Sequence, residues 1–237
     1  MPQSINPNFY TPIAIVIAGI IIAGAIFVVG RTGSGATPLA TGTQQVAAVS
    51  ASQVSSSGNP TIGSANAPLT IAYWFDYQCP FCKQNELTVM PQLIQDYVNT
   101  GKVKIVYKDF SFLGADSDTL GHVARAVWAV APDKFADWHH AIYANQGEEN
   151  TGWATTAEIQ KITAGVLTAA QTAQVMQLAQ TNATKYQSAM DADKQEGEQD
   201  GVQGTPAMLI GSQMVAGAES YAQVKTVIDQ QLAAVKK

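Results

Sequence analysis

The run Leu69 to Phe75 (LTIAYWF) ends at Asp76 and leads, within three residues, into Cys79-Pro80-Phe81-Cys82, which holds both cysteines of the 237-residue chain. The run has strand length, and its near-continuous apolar character fits a central strand buried on both faces. From Lys83 to Val98 the residues Leu87, Met90, Leu93, Ile94 and Tyr97 recur at helical spacing. A C-x-x-C pair therefore stands at the junction of a strand and a helix. Cys79 falls at the helix N-terminus, where unpaired N–H groups and the helix dipole favour a thiolate and lower its pKa from ~8.5 into the range ~3.5–7.5. Pro80 suits the first turn because it needs no N–H partner. Three uses of such a pair compete. Zinc normally takes four ligands, but there is no second C-x-x-C, and His122, His139 and His140 lie in a later helical block. A structural staple gains stability with loop length, so a two-residue loop gains little. Reversible exchange suits the pair best: Cys79 enters a mixed disulfide with a partner, and Cys82 resolves or re-forms the internal bond.

The rest of the chain supplies a frame. Pro91 interrupts the helix without ending its pattern, so a kink is expected. Gly101 stops it, and Lys102 to Tyr107 (KVKIVY) alternates as a second strand. Strand, helix and strand with a short return make a βαβ unit, with parallel pairing and a right-handed crossover. A helical block follows. Thr119 to Val130 carries Val123, Val127 and Val130 on one face, and Pro132 opens a helix through Asn145 with Phe135, Trp138, Ile142 and Tyr143 inward. Thr155 with Glu158, and Thr168 with Gln171, have capping-box spacing; the second starts a long helix toward Lys194, with Gly197 to Gly204 breaking the pattern. Ala207 to Ile210, a turn at Gly211-Ser212, Met214 to Ala216 and a helix from about Ser220 to Val235 close the chain. The expected class is α/β: a thioredoxin fold over residues 60–237, split by a helical insertion at about 113–200. Trp74, Trp128, Trp138 and Trp153 are expected in the core. Asp76 is expected as a strand-end cap, adjacent His139 and His140 as surface or cap residues, and the acidic run Asp191 to Asp200 as a solvated helix end.

Gly204-Thr205-Pro206-Ala207 opens the late strand. A proline there needs no functional explanation, since it cannot donate to a ladder. Beside a C-x-x-C pair, a cis Thr205–Pro206 bond would turn the Thr205 backbone toward the sulfurs and offer an extended peptide strand-like hydrogen bonds. With Ile62-Gly63, Ala67-Pro68, Asp76 to Lys83, Val202 to Ala207 and Gly217-Ala218, the chain from about Pro60 resembles DsbA-like thiol-disulfide oxidoreductases of the thioredoxin superfamily, closest to the membrane-tethered bacterial type. The resemblance implies Cys79 as nucleophile, Cys82 as its partner, Pro80 and Phe81 as the active-site dipeptide, and Thr205-Pro206 as a cis-Pro substrate loop, with no cofactor or metal. It also matches Glu86, one turn after Cys82, to an acidic position often found in the family. Two positions depart from the pattern. Tyr73, six before Cys79, stands where a buried acid often moves protons, which leaves that task to Glu86 or water. Phe81 lacks the imidazole of strongly oxidising relatives, so the Cys79 pKa should be less depressed than theirs. Glutaredoxins share C-P-F-C but are much shorter and lack the insertion and the anchor.

Two uncharged regions precede the domain. Ile13 to Val29 holds seventeen residues without a polar side chain, reaching roughly 26 Å against a hydrocarbon core of ~30 Å. Residues 13–30 are expected as a transmembrane anchor after a short tail, 1–12, with Phe9 and Tyr10 at its interface. A cleaved signal peptide is the rival, but no Lys or Arg precedes the run and no small-x-small site directly follows it. Residues 31–59, rich in Gly, Ser, Thr, Ala and Gln, are expected as a flexible linker of roughly 30 Å reach. Arg31 is the one charge flanking the span and would by itself hold the domain in the cytoplasm; donation of stable disulfides instead requires an oxidising compartment. From Pro60 onward 12 Lys or Arg oppose 18 Asp or Glu, a balance that repels nucleic acid. The expected function is a membrane-anchored extracytoplasmic oxidase donating the Cys79–Cys82 disulfide to exported cysteine-containing proteins. Its expected partner is a quinone-linked membrane redox protein. A reductase or isomerase would use the same pair, and a tethered binding or chaperone module would keep the disulfide only to close a loop.

Overall fold

The computed structural model describes residues 50–235. The expected anchor and tail lie outside them; among the described residues no helix is long and apolar enough to cross a membrane. The strands are β1 (Thr61–Ile62), β2 (Leu69–Phe75), β3 (Val103–Asp109), β4 (Ala207–Ile210) and β5 (Gln213–Ala216), in the sheet order β1-β3-β2-β4-β5. β2 pairs in parallel with β3 along its whole length, Leu69 opposite Val103 through Phe75 opposite Asp109, and antiparallel with β4. Burial of all seven β2 residues follows from this central place. Alternation along the strand divides two cores. Leu69, Ile71, Tyr73 and Phe75 enter the larger one, which also holds both cysteines; Ala72 and Trp74 enter a smaller one with Val202, Ala207 and Leu209.

Helix α1 (Pro80–Thr88) leads into a short α2 (Met90–Leu93) and a wide π-type turn, Ile94–Val98. The break sits just before Pro91, whose ring and missing N–H disrupt the ladder as its position required. The helical insertion comprises α3 (Ala115–Val130), a 3₁₀ turn (Pro132–Lys134), α4 (Phe135–Ala144), α5 (Thr156–Ala164), α6 (Ala169–Thr181) and α7 (Ala183–Gln199). Thr155 caps α5, and Thr168 with Gln171 forms a complete capping box on α6. Helix α8 (Tyr221–Val235) closes the chain.

Three expectations need correction. The long helix from Thr168 toward Lys194 is two helices, divided at Asn182, a residue whose side chain competes with the helical backbone. Gly197 lies inside α7 rather than breaking it: a Cβ there would meet the Trp74 indole nitrogen at 2.7 Å, so glycine permits the close approach of helix and strand. The acidic run is not a solvated helix end throughout. Asp193 is buried and binds Lys108 Nζ at 2.6 Å, Arg125 at 2.5 Å and the Asn59 amide at 2.9 Å. Domain packing also begins ahead of Pro60. Ala51 and Val54 are buried, the Ser55 N–H donates to Glu196 at 2.8 Å, and Lys108 donates to the Ser55 carbonyl at 2.8 Å. A weakly apolar segment is thus held chiefly by polar bonds to residues far along the chain.

Candidate active site

The loop from β2 to α1 is organised around Asp76, which is fully buried. One carboxylate oxygen accepts the Gln78 N–H at 2.8 Å and the Ser117 hydroxyl at 2.5 Å; the other accepts the N–H groups of Phe112 at 2.8 Å and Leu113 at 3.1 Å. Asp76 therefore caps the strand end, as expected, and also ties it to the insertion. The insertion holds the loop at further points. Tyr143 donates its hydroxyl to the Asp76 carbonyl at 3.0 Å, and the Gln146 amide donates to the carbonyls of Tyr77 at 2.8 Å and Cys79 at 3.2 Å. Gln78 accepts the Asn150 N–H at 2.8 Å. These anchors have no local sequence signature, because their partners lie dozens of residues away.

Cys79 is the N-cap of α1, and its sulfur accepts the Cys82 N–H at 3.4 Å. The Thr205–Pro206 bond is cis, and the Thr205 carbonyl accepts from the Cys79 sulfur at 3.4 Å. Cys79, Pro80, Phe81, Cys82, Thr205 and Pro206 thus converge on one spot. The two thiols are free and differ sharply. The Cys82 thiol beside the Cys79 sulfur, reinforced by neighbouring Thr205 and the backbone N–H groups of Cys82 and Phe81, lowers the Cys79 pKa to about 6 against the opposing effect of burial. Burial pushes the Cys82 thiol well up. Phe81 is 61% exposed beside them, so it neither shields the pair fully nor adds charge.

Glu86 lies one turn after Cys82 on the same buried face of α1. Burial raises its pKa to about 7, partly offset by His140. Its two oxygens stand 3.6 Å from His139 Nε2 and 3.7 Å from His140 Nδ1. The expectation of a surface or cap position holds for His140 and needs correction for His139. His139 is fully buried among Phe75, Tyr77, Tyr107 and Phe135, while the His140 side chain is 46% exposed. Burial drives the His139 pKa down to about 3, so it is neutral and its contact with Glu86 is no ion pair. Glu86 raises the His140 pKa. The sequence did carry a signal for His139: it lies four residues from both Phe135 and Tyr143, on the inward face of that helix.

Known proteins share the fold. The family model described as "Thioredoxin" matches residues 55–230. "Disulfide bond formation protein D" of Bacillus subtilis is 25% identical over 182 residues, covering 76% of this chain and 80% of the relative. The "probable disulfide bond formation protein D" of Bacillus anthracis is 25% identical over 172 residues, covering 73% and 77%. Among solved structures, oxidised BdbD from Bacillus subtilis superposes with a TM-score of 0.69 at 24% identity, covering 78% of this chain and 98% of that one. DsbA from Chlamydia trachomatis shares the fold with a TM-score of 0.65 at 20% identity, covering 74% and 92%. The chain belongs to the thioredoxin family, as a DsbA-like thiol-disulfide oxidoreductase.

Proposed function

We propose that the chain is a membrane-anchored, extracytoplasmic thiol oxidase that donates a Cys79–Cys82 disulfide to exported cysteine-containing proteins. The observation that carries this reading is the opposite treatment of the two sulfurs, with Cys79 drawn down to about 6 and Cys82 pushed up. Holding Cys79 as a thiolate stabilises the reduced pair against its disulfide, which makes that disulfide the better oxidant. A value near 6 falls between the ~7 of thioredoxin and the ~3.5 of DsbA, in line with the uncharged Phe81.

In the forward reaction a substrate thiolate attacks the Cys79 sulfur of the disulfide. The S–S bond breaks, its electron pair leaves on Cys82, and Cys79 remains in a mixed disulfide. A second substrate thiolate then attacks the substrate sulfur, forming the substrate disulfide and releasing Cys79 as a thiolate. Two electrons have passed to the pair. Cys82 leaves as a thiolate in a site that burial makes hostile to charge, so it requires a proton; Glu86 is assigned as its relay. Thr205 and Pro206 receive extended substrate backbone beside Cys79. A quinone-linked membrane partner re-forms the disulfide. The anchor rests on the apolar run Ile13 to Val29, and the compartment on the need for donated disulfides to persist. The names of the Bacillus relatives support the direction of transfer.

Equilibrating the full-length chain with glutathione buffers tests the reading. The expected potential is more oxidising than about −200 mV, on the side of ~−120 mV; a value near ~−270 mV would overturn the oxidase in favour of a reductase. Cys82→Ala should accumulate mixed disulfides through Cys79, and trapping none would leave only a binding module.

A further inference from the structure

Behind the sulfur pair lies a second group of ionisable side chains, where α1, β2, β3 and α4 meet. Glu86 enters from α1, Tyr73 from β2, Tyr107 from β3, and His139 and His140 from α4, with Tyr77 closing the group from the loop before α1. The group is under-bonded. The hydroxyls of Tyr73 and Tyr107, Glu86 Oε2 and His139 Nε2 are all buried without a hydrogen-bond partner among the described residues. Native interiors pair nearly all such atoms, so four together single out this group. The geometry gives the proton a track. His139 Nδ1 stands 3.0 Å from the Tyr77 hydroxyl, and its Nε2 faces Glu86 Oε2 at 3.6 Å. His140 is the member that reaches solvent, 46% exposed, with Nδ1 3.7 Å from the other Glu86 oxygen.

We propose that His140 is the positioning residue through which Glu86 exchanges with solvent the proton that Cys82 gains and loses. This rests on the reading of Glu86 as relay and extends it into the helical insertion. When the disulfide opens, the Cys82 thiolate takes the proton of the Glu86 carboxyl. The carboxylate then recovers a proton from the His140 imidazolium, which takes one from water. During reoxidation the protons run outward. Cys82 loses its proton toward Glu86, its thiolate attacks the Cys79 sulfur of a mixed disulfide, and the partner departs as a thiolate with the electron pair. His139 stays neutral and holds the carboxyl from the inner side. Asp137, three residues before His140 on the same helix, also raises its pKa, although Glu86 contributes most. The imidazolium in turn lowers the Glu86 pKa, so its loss leaves Glu86 protonated to higher pH.

Stopped-flow oxidation of the reduced full-length chain by excess oxidised glutathione reads the two steps apart. The first phase, formation of the Cys79–glutathione mixed disulfide, follows the Cys79 thiolate. The second, attack by Cys82 with release of glutathione, follows deprotonation of Cys82. Over about pH 5.5 to about 8.5, H140A should slow the second phase roughly 5- to 10-fold near neutrality and shift its midpoint alkaline. The first phase should keep its pH profile, and added imidazole should recover the second. H140Q, which offers hydrogen bonds but no exchangeable charge, should behave like H140A. An unshifted midpoint in H140A, or a wild-type profile in H140Q, overturns the role of His140. E86Q separates the two levels. If it leaves the second-phase profile as in wild type, the Glu86 relay itself falls. If it abolishes the inflection while H140A leaves it unmoved, the relay stands and only His140 is removed.

Discussion

Neighbouring residues of the two central strands serve two buried charged groups built on opposite principles. Tyr73 and Tyr107, paired across β2 and β3, face the group around Glu86; Trp74 and Lys108, the next pair along, face the group around Asp193. Around Asp193 every charge has a partner, two cations being shared among three carboxylates. Lys108 binds Asp193, Glu196 and the Ser55 carbonyl, and Arg125 binds Asp109, Asp193 and Asn59. Around Glu86 four polar atoms have no hydrogen-bond partner among the described residues. A satisfied network fixes one geometry, whereas an unsatisfied one leaves a proton able to move. The first fastens the segment ahead of β1 to the domain; the second lies behind the thiol that must change its protonation.

The most forceful way to break the paired group is Asp193→Ala. It removes the acceptor shared by Lys108, Arg125 and Asn59 and leaves each cation with a single carboxylate, Glu196 for Lys108 and Asp109 for Arg125. Breaking such a network costs ~3–5 kcal/mol, even where an apolar replacement of the whole would be neutral. Urea unfolding of the full-length chain should show that loss, and thiolate absorbance should show Cys79 still titrating near 6. Wild-type stability in D193A would mean that the two groups do not differ in role.

Glu86→Gln tests the other side with the opposite sign. Burial raises the folded pKa of Glu86 from 4.5 to about 7, so the folded chain binds the proton more tightly than the unfolded one. That contribution is full below 4.5 and is lost as pH rises through about 7. The span amounts to about 3 kcal/mol. His139 works against it, since its folded pKa of about 3 lies below the ordinary 6.5, and its contribution is lost as pH falls from 6.5 toward 3. E86Q should therefore be more stable than wild type at alkaline pH by up to about 3 kcal/mol, with a flatter profile through neutrality. A parallel pair of profiles would show that Glu86 is not held protonated by the fold.

A smaller effect is expected at Gly197→Ala. The added methyl would press on the Trp74 indole, whose N–H donates to the Asp193 carbonyl at 3.1 Å. Overpacking of this kind costs ~1–3 kcal/mol. The loss should appear in unfolding curves while glutathione kinetics stay unchanged; altered resolution by Cys82 would show that the two faces of the sheet are coupled.

The same contrast explains what was legible in the sequence. β2, β4, the Thr155 and Thr168 caps, and the Cys79 and Thr205-Pro206 motifs were readable because each depends on neighbours within a few residues. Asp193 looked like a solvated helix end because the residues that bury it, Lys108 and Arg125, lie 85 and 68 positions away. Residues 50–59 looked like linker because only Ala51 and Val54 among them are buried apolar contacts, and their polar anchors are distant. His139 was misplaced for a different reason, while His140 is exposed as expected. Adjacent helical residues do face apart, but the two oxygens of one carboxylate reach both.

The finest distinction concerns the sulfur that belongs to neither group. Phe81→His would place an imidazole beside Cys79 without touching Glu86 or Asp193. Position 81 is well exposed, so the new charge acts through water, where unit charges at 4 Å interact by only about 1 kcal/mol. The Cys79 pKa should fall below its present value of about 6 by less than about one unit, and the potential should rise by roughly 10–20 mV. The pH profile of unfolding set by Glu86 should not move. A much larger rise in potential would mean that the site is screened from solvent more strongly than the exposure of Phe81 indicates. No rise at all would mean that the Cys82 thiol, Thr205 and the helix N-terminus already fix the thiolate, and that the dipeptide between the cysteines is not what sets oxidising power in this chain.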